Sequence, residues 1–132
     1  ILFLCLNFNL LQSDFTIHMF PFQNLEVYKK AKLFHIYCRT LVKGRTIDGY
    51  AKDQLSRASF SVPLNIAEGC GKFSKADRRN YYVTARGSVM ECIAATDVLC
   101  DLKEISQEEF TQVYAYGDEL SRMLFSMIKN LS

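Results

Sequence analysis

The sequence predicts an all-α protein, an antiparallel up-down-up-down four-helix bundle with long helices and short loops. Apolar residues recur every three or four positions after Met19, and no useful length of chain alternates as a strand would. Only two prolines and six glycines occur in 132 residues, which disfavours a turn-dense β-sandwich. Short breaks divide the pattern into four segments, and short connections make successive helices antiparallel.

The first helix is predicted from Asn24 to Val42. Asn24 suits the N-cap position, and Gly44 ends the segment in a Lys-Gly-Arg turn. The apolar positions that step by three or four are Leu25, Tyr28, Ala31, Phe34, Cys38 and Leu41. These positions form one face of a helix that turns toward the core.

The second helix is predicted from Asp48 to Ala67, with a stripe of Leu55, Ala58, Val62 and Ile66. Pro63 lies inside it and removes one backbone donor, so we expect a bend there. The run Gly69-Cys70-Gly71 is predicted to break the helix.

The third helix is predicted to begin at Ser74, where Ser74 and Asp77 make a weak capping box. Its heptad seam consists of Tyr81, Ala85, Ser88, Cys92, Ala95, Leu99 and Leu102. A second stripe beside it consists of Tyr82, Val89, Ile93 and Cys100. So wide an apolar arc predicts a helix that is buried on more than one side.

The fourth helix has the clearest start signal in the sequence. Ser106 and Glu109 form a full capping box, and Ile105 and Phe110 occupy the positions of a hydrophobic staple. The seam that follows consists of Phe110, Val113, Gly117, Leu120, Leu124, Met127 and Leu131, broadened by Tyr114, Phe125 and Ile128. The double stripes of the third and fourth helices exceed what one small bundle needs, so we expect a homo-oligomer.

The first 18 residues differ from the rest because they contain no Lys or Arg and begin with Ile. We interpret 1–18 as a non-native or disordered extension, with Met19 as the natural start and 19–132 as a single four-helix-bundle domain. The alternative is an apolar segment that packs on a partner. Mass spectrometry of the native protein showing residues before Met19 would refute the first interpretation.

The five cysteines, Cys5, Cys38, Cys70, Cys92 and Cys100, are odd in number and form no Cys-x-x-Cys pair. Nothing in their spacing resembles a zinc site. We therefore predict that Cys38, Cys92 and Cys100 are small core residues in a reducing cytoplasm. The apolar N-terminal run is too short to span a bilayer.

The sequence predicts no enzyme, no cofactor and no metal site. The run Gly69 to Lys72 is no P-loop, because Ile66 replaces the first glycine and Phe73 replaces the required Ser or Thr. There is no His-Glu-x-x-His motif, and His35 is the only candidate partner for a cysteine nucleophile.

The net charge of +2 conceals a strong asymmetry along the chain. Residues 19–90 hold 13 Lys and Arg against 5 Asp and Glu, a net of +8, and residues 91–132 hold 3 against 8, a net of −5. The predicted nucleic-acid-binding residues are Arg57, Lys72, Lys75, Arg78, Arg79, Tyr82 and Arg86.

Four of these residues share one helical face, because Lys75, Arg79, Tyr82 and Arg86 step by four, three and four. Cations in the first turns of a helix are disfavoured by its macrodipole, which an anionic partner would explain. The alternative is that these cations pair with the acidic fourth helix, within or between subunits.

The run Ser61-Val-Pro-Leu-Asn-Ile-Ala-Glu-Gly69 contains the motif residues Ser61, Pro63, Asn65, Ile66, Ala67, Glu68 and Gly69. It resembles the signature of the four-helix-bundle proteins encoded in intervening sequences of 23S rRNA genes. The resemblance extends over about residues 22–131, through 25–31, 54–58 and 85–88 with Glu91, and is weakest in the acidic fourth helix.

The resemblance implies an antiparallel bundle that often assembles as a ring-shaped homopentamer. It also implies kinship with the accessory variability protein of diversity-generating retroelements, a basic pentamer that binds nucleic acid and a reverse transcriptase. RNA or another nucleic acid, a reverse transcriptase and a ribosomal component are therefore the expected partners.

We interpret the motif as a packing signature. Pro63 would bend the helix, Asn65 would bond a backbone group freed by the bend, and Glu68 would pair with Arg57 or Arg86.

The sequence thus predicts a non-enzymatic oligomeric protein that binds nucleic acid, RNA in preference to DNA, or acts as a scaffold. The alternative is a protein–protein adaptor whose basic face binds an acidic protein partner.

Overall fold

A computed structural model describes residues 20–132 of the chain. A short 3-10 helix, Pro21–Asn24, precedes four α-helices. These are α1 (Glu26–Val42), α2 (Gly49–Cys70), α3 (Lys75–Asp101) and α4 (Gln107–Asn130), and the described residues contain no strand. The predicted all-α four-helix bundle is confirmed, whereas the predictions for residues 1–18 lie outside the described residues.

Side-chain contacts between helices establish the up-down-up-down topology. On α1 and α4, Lys30 pairs with Glu119 near one end of the bundle and Arg45, just after α1, pairs with Glu109 near the other. On α2 and α3, Ser61 bonds Ser88. Each helix packs on the next, and α4 closes against α1. Connections of four to six residues suit antiparallel neighbours.

The core lies between all four helices, and each helix contributes fully buried side chains. The largest of these include Phe34, Leu55, Ile66, Leu120 and Leu124. On α4 the predicted seam is confirmed at Val113, Gly117, Leu120 and Leu124. On α3 the buried face instead takes members from both predicted stripes together with Thr96, which belongs to neither; it consists of Tyr82, Ala85, Val89, Cys92, Thr96 and Leu99.

Two predicted helix boundaries are wrong by a few residues. Asn24 is not the N-cap of α1, because it belongs to the 3-10 helix and Leu25 takes the cap position without a side-chain bond. Gly69 does not break α2, which continues to Cys70. A Cβ atom on Gly69 would come within 2.7 Å of the Tyr82 ring, so this glycine allows close packing of α2 on α3.

The Ser61–Gly69 motif packs differently from the prediction. The Asn65 amide donates to the Ser61 carbonyl at 2.8 Å and to the Ser61 hydroxyl at 2.9 Å. Pro63 deprives the Ser59 carbonyl of its donor, so Asn65 does not serve the freed group. Glu68 is exposed and makes no ion pair within residues 20–132, so its predicted pairing with an arginine is wrong.

Candidate nucleic-acid interface

The antiparallel topology converts the charge asymmetry of the sequence into a difference between the two ends of the bundle. One end holds the starts of α1 and α3, the end of α2 and the end of α4. This basic end, residues 20–34, 60–87 and 118–132, has ten Lys and Arg against five Asp and Glu. The opposite acidic end, residues 35–59 and 88–117, has six against eight.

The start of α3 lies at the basic end. Ser74 caps the helix by accepting a hydrogen bond from the Asp77 amide at 3.1 Å. Among the described residues only this half of the predicted capping box forms, because the shorter Asp side chain makes no return bond to the Ser74 amide. Local capping therefore stabilises this helix start only partly.

Five cations at this start make no ion pair within residues 20–132: Lys72, Lys75, Arg78, Arg79 and Arg86. The Arg78 Nε donates to the Lys72 carbonyl at 2.6 Å, and the Lys72 ammonium lies over the Tyr81 ring, 5.0 Å from its centroid. These contacts are with neutral groups and leave the positive charges uncompensated.

The arginines that face α4 also contact neutral groups. Arg79 and Arg86 donate to the hydroxyls of Ser132 and Ser121, at 3.4 and 3.1 Å. The Arg86 guanidinium also lies 5.6 Å from the centroid of the Phe125 ring. The apolar part of each long side chain can therefore pack while its charge stays available.

Three of the four carboxylates of α4 are engaged elsewhere, and the fourth, Glu108, lies at the opposite, acidic end. Glu119 pairs with Lys30 of α1 at 2.8 Å, and Asp118 pairs with Arg122 of its own helix at 2.9 Å. Glu109 binds Arg45 through both carboxylate oxygens. Pairing of the α3 cations with α4 inside one subunit is therefore wrong for the described residues, and pairing between subunits stays a prediction.

Tyr82 does not share the exposed face predicted for it. Its side chain is only 6% exposed, and its hydroxyl lies 3.3 Å from the Cys70 sulfur. Burial, and then the hydrogen bond with Cys70, raises the pKa of the Tyr82 hydroxyl well above its ordinary value. Tyr82 is a core residue and cannot stack on a base.

Arg57 is also separated from the α3 cations. It pairs with Asp53 one turn away at 2.8 Å. It lines a surface cavity of about 350 Å³ between α1 and α2, together with His35 and Arg39. The structure therefore brings together five of the seven predicted binding residues and leaves out Arg57 and Tyr82.

The residue that the sequence interpretation missed is Phe73, in the loop between α2 and α3. Its side chain is fully exposed, between the cations Lys72 and Lys75. The signal was available, because a residue just before an N-cap usually packs on the fourth residue of the helix. Here that fourth residue is Arg78, which offers no apolar surface of the kind that Phe110 offers to Ile105.

Outside the basic end, His35 bonds a serine rather than a cysteine. Its Nδ1 lies 2.8 Å from the hydroxyl of Ser59, which is fully buried. Burial, and then the charge of Arg39, lowers the pKa of His35. A hydroxyl so enclosed is not accessible to a substrate.

The four described cysteines are free, and Cys38 and Cys92 are buried as predicted, while Cys100 is only partly buried. The hydrogen bond with the Cys38 thiol, and then burial, raises the pKa of Cys92, which keeps this thiol protonated. Residues 20–132 hold no cluster of three metal-binding side chains. None of the helices described combines the length and apolar character needed to cross a bilayer.

Comparison with known proteins places this bundle in a family. Residues 23–126, most of the chain, match the 23S rRNA-intervening sequence proteins. The chain belongs to the 23S rRNA-intervening sequence protein family. The match covers the whole of α1, α2 and α3 and all but the end of α4, so the resemblance seen in the Ser61–Gly69 motif is confirmed.

A solved member of the S23 ribosomal protein family from Bacteroides thetaiotaomicron, a protein described as having unknown function, has the same fold. It superposes with a TM-score of 0.74 at 22% identity, over 78% of this chain and 98% of its own. No curated protein matches the sequence. In this member of the intervening-sequence family, the feature that bears on function is the basic end itself.

Proposed function

We propose that this chain is a non-enzymatic, oligomeric protein that binds nucleic acid through its basic end and thereby acts as a scaffold. The single observation that carries the proposal is the set of five cations at the start of α3 that lack an ion pair within residues 20–132. A polyanion supplies the missing negative charge.

The placement of two of these cations, Lys75 and Arg78 in the first turn of α3, opposes the stability of the helix. A positive charge near a helix N-terminus is unfavourable by about 0.3–1 kcal/mol, because the macrodipole is positive there. Bound phosphates would offset this unfavourable energy, since they interact favourably both with the cations and with the helix terminus. Release of counterions from the nucleic acid then supplies most of the affinity.

We propose RNA in preference to DNA because the family takes its name from sequences that intervene in 23S rRNA. Under this proposal the protein acts in the cytoplasm with RNA, and a ribosomal component or a reverse transcriptase is its protein partner. The gene neighbourhood distinguishes the two partners. A position inside a 23S rRNA gene favours a ribosomal component, and a position beside a reverse transcriptase gene favours the reverse transcriptase.

The oligomer is proposed from exposed apolar side chains on the outer faces of the helices. Between α3 and α4, an open groove of about 420 Å³ is lined by Met90, Ile93 and Tyr114 among others. Met90 and Tyr114 are each at least half exposed, as is Phe125 beside them. Assembly would bury this surface, and a pentamer follows from the family resemblance. A monomeric mass by light scattering would refute the oligomer.

The binding test uses fluorescence anisotropy with a labelled RNA hairpin and a DNA hairpin of the same sequence. With five phosphate contacts, the affinity should fall roughly 100- to 500-fold between about 50 and 200 mM salt. Changing Lys75, Arg79 and Arg86 together to Glu should weaken binding at least about 100-fold at low salt.

The matched control reverses three lysines outside the basic end, Lys43, Lys52 and Lys103, to Glu. This variant has the same net charge, so it should lose much less affinity if location matters rather than total charge. Thermal unfolding checks that both variants remain folded. The proposal fails if the unmodified protein binds neither hairpin at low salt, or if both variants lose affinity equally.

A protein–protein adaptor is the second candidate, favoured by the acidic end. Glu108 and Asp101 are exposed there, near the junction of α3 and α4. Such an end complements the basic end of a neighbouring subunit or of another protein. Co-purification with a protein and without nucleic acid, read from the ratio of absorbance at 260 and 280 nm, would favour the adaptor.

A further inference from the structure

Phe73 is more exposed than any other large apolar side chain in residues 20–132. A phenylalanine left fully in water forgoes about 1.5–3 kcal/mol of burial free energy. The staple contact that would normally cover it is missing, because Arg78 occupies the position that would face it and turns back to the Lys72 carbonyl. Local folding therefore gives no reason for an aromatic residue here.

The loop that carries Phe73 is anchored on both sides. On the α2 side, the amides of Gly71 and Lys72 each donate at 3.1 Å to the carbonyls of Glu68 and Gly69. On the α3 side, Ser74 caps the helix. The ring is therefore presented on a defined backbone, which lowers the entropy lost when a ligand binds it.

The neighbours of Phe73 restrict the chemistry of its ligand. Lys72 and Lys75 flank it, and neither has an ion pair within the described residues. A ring that is exposed on all sides has no concave wall, so it cannot enclose an apolar peptide side chain. It can stack on a flat base while the adjacent cations contact phosphates.

We propose that Phe73 is a base-stacking residue and that the basic end selects single-stranded over double-stranded RNA. This inference rests on the proposed nucleic-acid binding and specifies its substrate class. Bases in a duplex are already stacked on one another and offer no free face, whereas unpaired bases in loops and single strands do. The cations contribute to both kinds of binding, and Phe73 contributes only to the single-stranded one.

The test compares Phe73→Ala with the unmodified protein on two labelled probes, a single strand of about 12 nucleotides and the RNA duplex of the same sequence. Loss of one stacked base should weaken single-strand binding by between about 5- and 150-fold and leave duplex binding unchanged. The salt dependence should stay the same, because no phosphate contact is removed. Phe73→Tyr, which keeps the aromatic ring, should retain the affinity.

The matched control is Tyr50→Ala. Among residues 20–132, Tyr50 is the next most exposed aromatic residue, 76% exposed, and lies at the start of α2 in the acidic end. Its removal should change neither affinity. Because neither ring is buried, both variants should unfold at the temperature of the unmodified protein.

A spectroscopic readout reports stacking directly. The chain contains no tryptophan, so Phe73→Trp introduces a single indole, which can be excited apart from the tyrosines, at the proposed site. Its emission should be quenched by the single strand and not by the duplex.

Three results would separate the two proposals. If neither RNA binds, or only an acidic peptide probe binds, the nucleic-acid function and the stacking role both fail. If both RNAs bind and Phe73→Ala weakens neither, or weakens both equally, only the stacking role fails. Unquenched indole emission from the Phe73→Trp variant in a saturated single-strand complex also overturns the stacking role.

Discussion

The starts of α3 and α4 use the same N-cap residue and differ in almost everything else. At α4, Ser106 and Glu109 exchange two hydrogen bonds, of 3.1 and 2.9 Å, and Ile105 is buried before them. At α3, Ser74 makes one such bond and Phe73 before it is fully exposed. Acidic residues follow the first cap, and mostly cations follow the second.

The comparison separates stabilising features from features that stability does not explain. Glu109 supports α4 by capping it, by interacting with the macrodipole and by binding Arg45 from the α1–α2 connection. The start of α3 keeps one acidic residue, Asp77, in its first turn, but it lacks the return capping bond and the ion pair. Positions that oppose local stability are those where selection for a partner is expected to act.

The largest expected contrast is between the two residues that precede the caps. Ile105→Ala should lower the free energy of unfolding by about 2–4 kcal/mol, because it leaves a cavity beside Phe110. Phe73→Ala should change it by less than about 0.5 kcal/mol, because the ring packs on nothing. Urea denaturation followed by circular dichroism measures both, and a large loss at Phe73 would show that its ring is buried in solution.

The two caps should differ by a smaller amount. Ser106→Ala should cost about 1–2 kcal/mol, since it disrupts a reciprocal pair of bonds, and Ser74→Ala about 0.5–1 kcal/mol. The same denaturation experiment applies. Equal losses would contradict the difference between a full capping box and a single cap bond.

Acid should weaken the α4 start in particular. The Arg45 guanidinium, together with the Ser106 amide, lowers the pKa of Glu109 below its ordinary value of 4.5. A lowered pKa contributes stability that is present above the unfolded-state pKa and lost as the pH falls through the folded-state pKa. The contribution at neutral pH should be up to about 1 kcal/mol, because the pair is partly exposed.

Glu109→Gln tests this origin, because glutamine preserves the capping bond and removes the charge. The variant should lose part of the decline in stability that the unmodified protein shows below about pH 4.5. An unchanged pH profile of the urea midpoint would assign the decline to other carboxylates.

The smallest expected effect has opposite signs at the two helix starts. Lys75→Glu should stabilise the protein by about 0.3–1 kcal/mol at low salt, and Glu108→Lys should destabilise it by a similar amount, because both charges face the positive end of a macrodipole. Thermal unfolding at low and high salt measures this, and screening should shrink both shifts. If Lys75→Glu destabilised the protein, the cation would have a structural role.

Local rules were enough where the position of a residue depends only on its own helix. The Ser106–Glu109 capping box and the α4 seam were predicted because each joins residues that follow one another about one turn apart. The heptad seam of α3 was less reliable, since two apolar stripes lay side by side. Thr96, which lies in neither, is buried, and its hydroxyl is satisfied there by a bond to the Cys92 carbonyl at 2.8 Å.

The candidate site was predicted in part for the same reason. Lys72, Lys75, Arg78, Arg79 and Arg86 follow one another along the chain, so their proximity required only the helix. Tyr82 shares their spacing, yet it faces α2 and packs against Gly69. Whether residue 82 faces solvent depends on where α2 packs against α3. The spacing of residues along α3 alone does not specify this.

The sequence by itself determined the four helices, the Ser74 and Ser106 caps of α3 and α4, the antiparallel order and the family. Only the tertiary structure decided which charges remain unpaired, because ion pairs such as Lys30–Glu119 and Arg45–Glu109 join residues more than sixty positions apart. The antiparallel packing of the helices also turned a difference of charge between segments of the chain into a difference between the two ends of the bundle. Helix formation depends on neighbours in sequence, whereas electrostatic compensation depends on neighbours in space, and only packing brings those together.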